Sequence, residues 1–278
     1  MQLYTINTGY FKLDGGAMFG VVPKSMWQRL CEPDNNNLCT WAMRCLLIEE
    51  GDRLMLVDTG IGNKQDAKFR SHFEPHGDDS LLQSLKQLGF HPNDVTDVLL
   101  THLHFDHCGG AVELDKNGKP RVTFPNATYW SSAHQWNWAL DPNPREKASF
   151  LKENLLPIEA SGQLKFIEEE PIGIEGIKLH QVFGHTESMT ICDIEYKNQI
   201  ISYAADLIPS RHHIKLPYVM AYDIRPLETL KEKALFLERA YENNHIIMFE
   251  HDKDVECCNL KRTERGIVFD NTFTLSEL

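Results

Sequence analysis

The stretch Thr101-His102-Leu103-His104-Phe105-Asp106-His107-Cys108-Gly109-Gly110 constrains this chain more than any other. Three histidines and an aspartate fall within six residues, just after residues 95–100, which read as a strand running into Thr101. In extended backbone, residues two apart point the same way, so His102 and His104 can share one ion. Once the chain turns, Asp106 and His107 can aim at a second position, and Gly109-Gly110 permits a sharp backbone turn. Imidazole with carboxylate suits zinc, manganese or ferrous iron, and the lack of cysteine between His102 and His107 disfavours a closed structural zinc site. A solvated, histidine-rich loop is the bland alternative. The donor chemistry instead matches what an open catalytic site requires.

The rest of the chain reads as layers of strands and helices. Residues 3–13, 43–48 and 54–57 have strand character, and Glu49-Glu50-Gly51-Asp52 marks a turn between the last two. Residues 80–88 carry Leu81, Leu82, Leu85 and Leu88 at helical spacing and stop at Gly89. Residues 177–183 and 189–196 are strands, and Lys197-Asn198 turns the second of them into a hairpin with residues 199–205. Residues 226–243 form the clearest helix, with Leu227, Leu230, Ala234, Leu237 and Tyr241 as an apolar stripe. A short strand at 246–249 leads into Glu250-His251. We therefore expect one α/β domain over residues 1–278, with a helical insertion at about 131–165.

Charge narrows the function classes. Forty acidic against 28 basic residues give a formal charge of −12, which argues against a nucleic-acid partner and against anionic membranes. No hydrophobic run exceeds five residues, and the first residues have neither a basic nor an apolar signal segment, so no signal peptide is expected. The seven cysteines contain no CxxC pair, which fits reduced thiols in a cytoplasm; the vicinal Cys257-Cys258 reads as buried thiols more readily than as a soft-metal site.

The motifs together resemble the metallo-β-lactamase-fold hydrolases. His102, His104, Asp106 and His107 stand as that family's HxHxDH signature, and its other motifs occur in order: Asp58 in Leu56-Val57-Asp58-Thr59-Gly60, His185 in Gly184-His185-Thr186, Asp206 in Ala204-Ala205-Asp206, and His251 in Phe249-Glu250-His251. The resemblance implies an αβ/βα sandwich, two mixed β-sheets packed face to face with helices outside. It also implies two divalent metal ions, zinc first, with manganese or iron as alternatives. His102, His104 and His185 would hold one ion and Asp106, His107 and His251 the other. Asp206 would bridge them, and Asp58 would orient a ligand histidine. Such a pair of ions holds a shared hydroxide near neutral pH, and Asp106 would move the proton from nucleophile to leaving group, so Asp106 and Asp206 are the expected catalytic residues.

Residues 14–27 form a glycine-rich apolar loop that looks like the corresponding loop in the branch with N-acyl-homoserine lactonases and organophosphate hydrolases. An exposed patch of Met18, Phe19 and Trp27 would suit an acyl chain. His212 and His213, just after Asp206, are further candidates for substrate contact, whereas His72, His76, His91, His134, His180 and His245 read as solvated. Some lactonases place a tyrosine shortly after the bridging aspartate, and Leu207-Ile208-Pro209-Ser210 stands there instead. The oxyanion would then rest on a metal, His212 or His213.

The expected reaction is opening of an ester or lactone, N-acyl-homoserine lactone included. Phosphotriester or aryl ester hydrolysis and glyoxalase II-like thioester hydrolysis are the enzymatic alternatives, and an inactive metal-binding scaffold the non-enzymatic one. The expected partner is a small molecule, and a homodimer is allowed.

Overall fold

The computed structural model describes residues 1–278. By its contacts the chain divides into two compact units. One comprises Met1–Gly9, Met43–Ser71 and His76–Glu175, the other Tyr10–Ala42, His72–Pro75 and Gly176–Leu278. In chain order the elements run β1 (Gln2–Asp14), α1 (Gly15–Phe19), α2 (Lys24–Trp27), β2 (Leu38–Glu50), β3 (Arg53–Val57), α3 (Ala67–Phe73), α4 (Leu81–Gln87) and β4 (Asp97–Leu99). There follow α5 (Phe105–Cys108), β5 (Val112–Leu114), β6 (Pro120–Val122), β7 (Thr128–Ser131), α6 (Ala133–Leu140), α7 (Lys152–Ser161) and β8 (Leu164–Phe166). The remainder is β9 (Ile177–Val182), β10 (Met189–Tyr196), β11 (Gln199–Tyr203), α8 (Pro226–Glu242), β12 (Ile246–Met248), β13 (Cys257–Thr263) and β14 (Gly266–Phe273).

The first sheet has the order β1-β2-β3-β4-β7-β8. Its β2 and β3 pair antiparallel across the expected turn, with Glu50 opposite Arg53. From β3 onward the pairs β3–β4, β4–β7 and β7–β8 are all parallel. Asp97 lies level with Met55 and Thr128. Its buried carboxylate accepts from Arg53 Nε at 2.7 Å and from the Trp130 indole at 2.8 Å, tying three neighbouring strands together. Leu47, Leu56, Val98, Tyr129, Trp136 and Leu155 belong to the apolar core of this unit. Within 131–165, α6 and α7 link β7 to its parallel neighbour β8. Parallel strands end at a common edge, and in open α/β sheets ligands bind beyond that edge. Asp58 directly follows β3, and Thr101 to His107 follow β4.

The second sheet has the order β14-β13-β12-β11-β10-β9. The β10–β11 hairpin turns through Lys197 and Asn198, both at positive φ (48° and 64°), as a two-residue turn matched to strand twist requires. The pair β11–β12 is parallel, so Asp206 and His251 emerge at the same end. The β10–β11 register sets Cys192 opposite Tyr203. β10 starts at Met189, just after His185, and β11 ends at Tyr203, just before Asp206, so both residues lie at the same end of this hairpin.

Two readings change here. The buried stripe of α8 is Thr229, Lys233, Phe236, Leu237 and Ala240, while Leu227 and Leu235 are exposed. The reason is Lys233, whose Nζ donates to the carbonyls of Tyr218 (2.6 Å), His213 (3.1 Å) and Lys215 (3.3 Å) and so draws its own face inward. His245 is buried, with Nδ1 2.9 Å from Ser202 Oγ, and His180 is half-buried with Nε2 2.8 Å from Asp193, so neither is simply solvated. All seven cysteines are free and buried. No helix is long and apolar enough to cross a membrane.

Candidate metal centre

In the first unit, β3 hands over to Asp58, which sits at φ 60°, a left-handed conformation that non-glycine residues rarely adopt. That backbone turn lets one fully buried carboxylate accept three bonds. Thr101 donates through its backbone N–H at 2.8 Å and through Oγ1 at 2.6 Å, and His107 Nδ1 lies 3.2 Å away. Asp58 thereby fixes the start of the histidine loop and the orientation of His107.

The loop after β4 is followed by the single turn α5, with His104 at its N-cap. His102 Nε2 lies 3.1 Å from His104 Nδ1, and the His102 and His107 ring centroids are 3.8 Å apart with their planes tilted by 46°. Asp106 Oδ2 is 3.7 Å from His107 Nε2. The loop brings all four side chains together, and all are buried. Gly109 and Gly110 are required for space as much as for turning. A Cβ on Gly109 would overlap the Ile61 carbonyl, and one on Gly110 the Thr59 carbonyl. The backbone N–H and Oγ1 of Thr59 both donate to the His107 carbonyl at 2.8 Å, which clamps the turn. Cys108 is no thiolate ligand: burial pushes its thiol up to about 12, and it donates to the Leu103 carbonyl at 3.3 Å.

In the second unit, His185 lies between β9 and β10 and is buried. Its Nδ1 is 2.7 Å from Asp223 Oδ1 and its Nε2 3.0 Å from Asp206 Oδ2. Burial alone would push its pKa down, but the two carboxylates prevail and raise it to about 10. Asp206 occupies the short 3-10 turn Ala205–Leu207, entered through Ala205 at φ 43°. Its other oxygen, Oδ1, faces His251 Nε2 at 3.1 Å, and His251 Nδ1 is 2.7 Å from the Ala42 carbonyl. One carboxylate thus faces two histidines, one through each oxygen, and both rings are held at the nitrogen that points away.

These donor sets fit metal ligation. His107, His185 and His251 each have Nδ1 beside an acceptor (Asp58, Asp223 and the Ala42 carbonyl), which leaves Nε2 as the donor atom. Asp223 and the Ala42 carbonyl escaped the sequence reading. A lone aspartate before a helix and a backbone carbonyl carry no spacing signal.

The expected apolar patch is absent from the surface. Met18, Phe19 and Trp27 are 1%, 0% and 1% exposed, because Phe19 stacks between Trp27 (5.4 Å) and His213 (5.0 Å). Val21 and Met26 are the exposed apolar residues of that loop. His213 is also withdrawn from substrate contact. Its Nδ1 is 2.8 Å from Ser210 Oγ and its Nε2 2.9 Å from the Met18 carbonyl, and burial pushes its pKa down to about 3. The neutral ring's one N–H is spent on Met18. His212 is half-buried, with its pKa also lowered by burial.

Residues 44–251 match the sequence model of the metallo-beta-lactamase superfamily. An N-acyl homoserine lactonase of Bacillus thuringiensis is 24% identical over 233 residues, covering 79% of this chain and 84% of that protein. The crystal structure of a probable metal-dependent hydrolase from Staphylococcus aureus superposes with a TM-score of 0.88 at 28% identity, covering 100% of this chain and 98% of the other. A dizinc quorum-quenching lactonase in complex with its homoserine product superposes with a TM-score of 0.80 at 22% identity, covering 98% and 95%. With its two mixed sheets and flanking helices, this chain has the αβ/βα sandwich of that family. The chain belongs to the metallo-β-lactamase superfamily, as one of its metallo-hydrolases.

Proposed function

We propose that both units work as one hydrolase domain holding two divalent ions, and that it opens small-molecule esters or lactones, N-acyl-homoserine lactones among them. In this reading His102, His104 and His185 hold one ion, Asp106, His107 and His251 the other, and Asp206 is shared. The observation that carries it is the presentation of the ligand rings: His107, His185 and His251 are each held at Nδ1, and Asp206 turns one oxygen to each of two histidines. An open catalytic zinc takes about three protein ligands, and the first unit alone offers two for each ion.

The bound ions would supply an acidified water and polarise the carbonyl under attack. Asp106, itself buried, would take up the proton of the attacking water and return it to the leaving alkoxide. Asp58 and Asp223 keep their histidines in the ligating orientation. Zinc is the proposed ion, since a structural neighbour is a dizinc lactonase. The lactone class is supported by that neighbour and by the Bacillus relative. Seven free, buried cysteines support a reducing, cytoplasmic location.

The test is a hydrolysis screen of zinc- and manganese-loaded protein against acyl lactones, aryl esters, phosphotriesters and thioesters. The expected result is chelator-sensitive turnover, fastest on lactones or esters. Turnover confined to phosphotriesters or thioesters would replace the substrate class, and none on any class would overturn the hydrolase reading.

A further inference from the structure

His104 is turned the opposite way from the other candidate ligands. His107, His185 and His251 are held at Nδ1 and keep Nε2 for an ion, whereas His104 presents Nδ1 to the His102 Nε2 atom at 3.1 Å. A neutral imidazole that ligates through Nδ1 carries its proton on Nε2, and that proton calls for an acceptor. The group beside His104 Nε2 is Glu146, whose Oε1 lies 3.6 Å away.

Glu146 belongs to the stretch between α6 and α7, which none of the metal motifs explains. Its side chain is 3% exposed, and its Oε2 accepts from Trp138 Nε1 and Asn143 Nδ2, both at 2.7 Å. Two donors on one oxygen lock the carboxylate and aim the other oxygen at the ring. The ring is confined too. Phe150 packs on it at 4.9 Å between centroids, and Phe105 N–H bonds the Ser149 carbonyl at 3.0 Å. A 3.6 Å gap is longer than a hydrogen bond, and a shift of a few tenths of an ångström in ring or carboxylate closes it.

We infer that Glu146 is a positioning residue that selects the Nε2–H form of His104 and so presents Nδ1 to the ion shared with His102 and His185. The inference rests on the binuclear reading above and adds a determinant from outside its motifs. Trp138 and Asn143 act through Glu146 by holding it in place.

The test is chelator competition for Zn²⁺, with the visible spectrum of the Co²⁺-loaded protein, in wild type, Glu146→Gln and Trp138→Phe. Wild type that binds fewer than two ions overturns the binuclear reading itself, before any variant is compared. With two ions bound, Glu146→Gln is expected to weaken one site about 10–100-fold, leave the other unchanged and alter the Co²⁺ spectrum, with the metal-free melting temperature nearly constant. Trp138→Phe is expected to shift the same site in the same direction by less, and it carries the test if Glu146→Gln fails to fold. Unchanged affinity at both sites with an unchanged spectrum overturns the inference. Equal weakening of both sites with a lowered metal-free melting temperature also overturns it, because that marks a purely structural role.

Discussion

Asp206 offers each carboxylate oxygen to a different histidine, at 3.0 and 3.1 Å, and this symmetry sets its expected mutational behaviour. Asp206→Asn keeps the shape but loses the charge that two cations would share. Steady-state kinetics on loaded protein should then give a kcat lowered about 10²-fold or more, with metal content falling less, since five histidine ligands remain. Near-normal kcat at full loading would remove the shared role. His213 yields a prediction in pH. Its folded pKa is pushed down to about 3, against about 6.5 in an unfolded chain. The unfolded state therefore binds a proton that the folded state refuses, and stability falls as pH drops through that window. Urea unfolding between about pH 7 and pH 4.5 should record this loss in wild type and a smaller one in His213→Gln; parallel curves would refute it. The sequence made the HxHxDH residues readable because donors that close together have little other use. Asp223 and Glu146 stayed hidden because each is a single carboxylate that only the folded chain brings to a histidine nitrogen.

Helix α8 illustrates what an apolar stripe conceals. Counting leucines favours the face of Leu227 and Leu230, whereas the chain buries Lys233 and its neighbours. Burial lowers the Lys233 pKa to about 8, with Asp223 pulling the other way, so the ammonium persists at neutral pH and holds three carbonyls. Lys233→Met leaves those carbonyls without their donor and should cost about 2 kcal/mol or more in urea unfolding. Leu235→Gln, on the exposed face, should stay within about 0.5 kcal/mol. Equal costs for the two would contradict the observed burial. The β10–β11 hairpin was legible because a polar pair ending in Asn198, a residue that tolerates positive φ, separates two strand-like runs. The loop around Phe19 was not, because an apolar, glycine-rich segment has the same composition whether it packs inward or faces substrate.

At the scale of the whole chain, the motif order pointed to the fold before any packing was known, and both sheets carry the expected residues at strand ends. What the sequence left open was the scaffolding of those residues: a strained Asp58, a strained Ala205 and the carboxylates behind the histidines. The proposed reaction needs two ions acting together. Its most direct test is a titration of metal-free protein with Zn²⁺, following bound metal by elemental analysis and turnover of an acyl lactone or aryl ester in the same samples. Two ions per chain are expected, with turnover reaching its plateau only at the second equivalent. One ion per chain in metal excess, or full turnover at one equivalent, would contradict it.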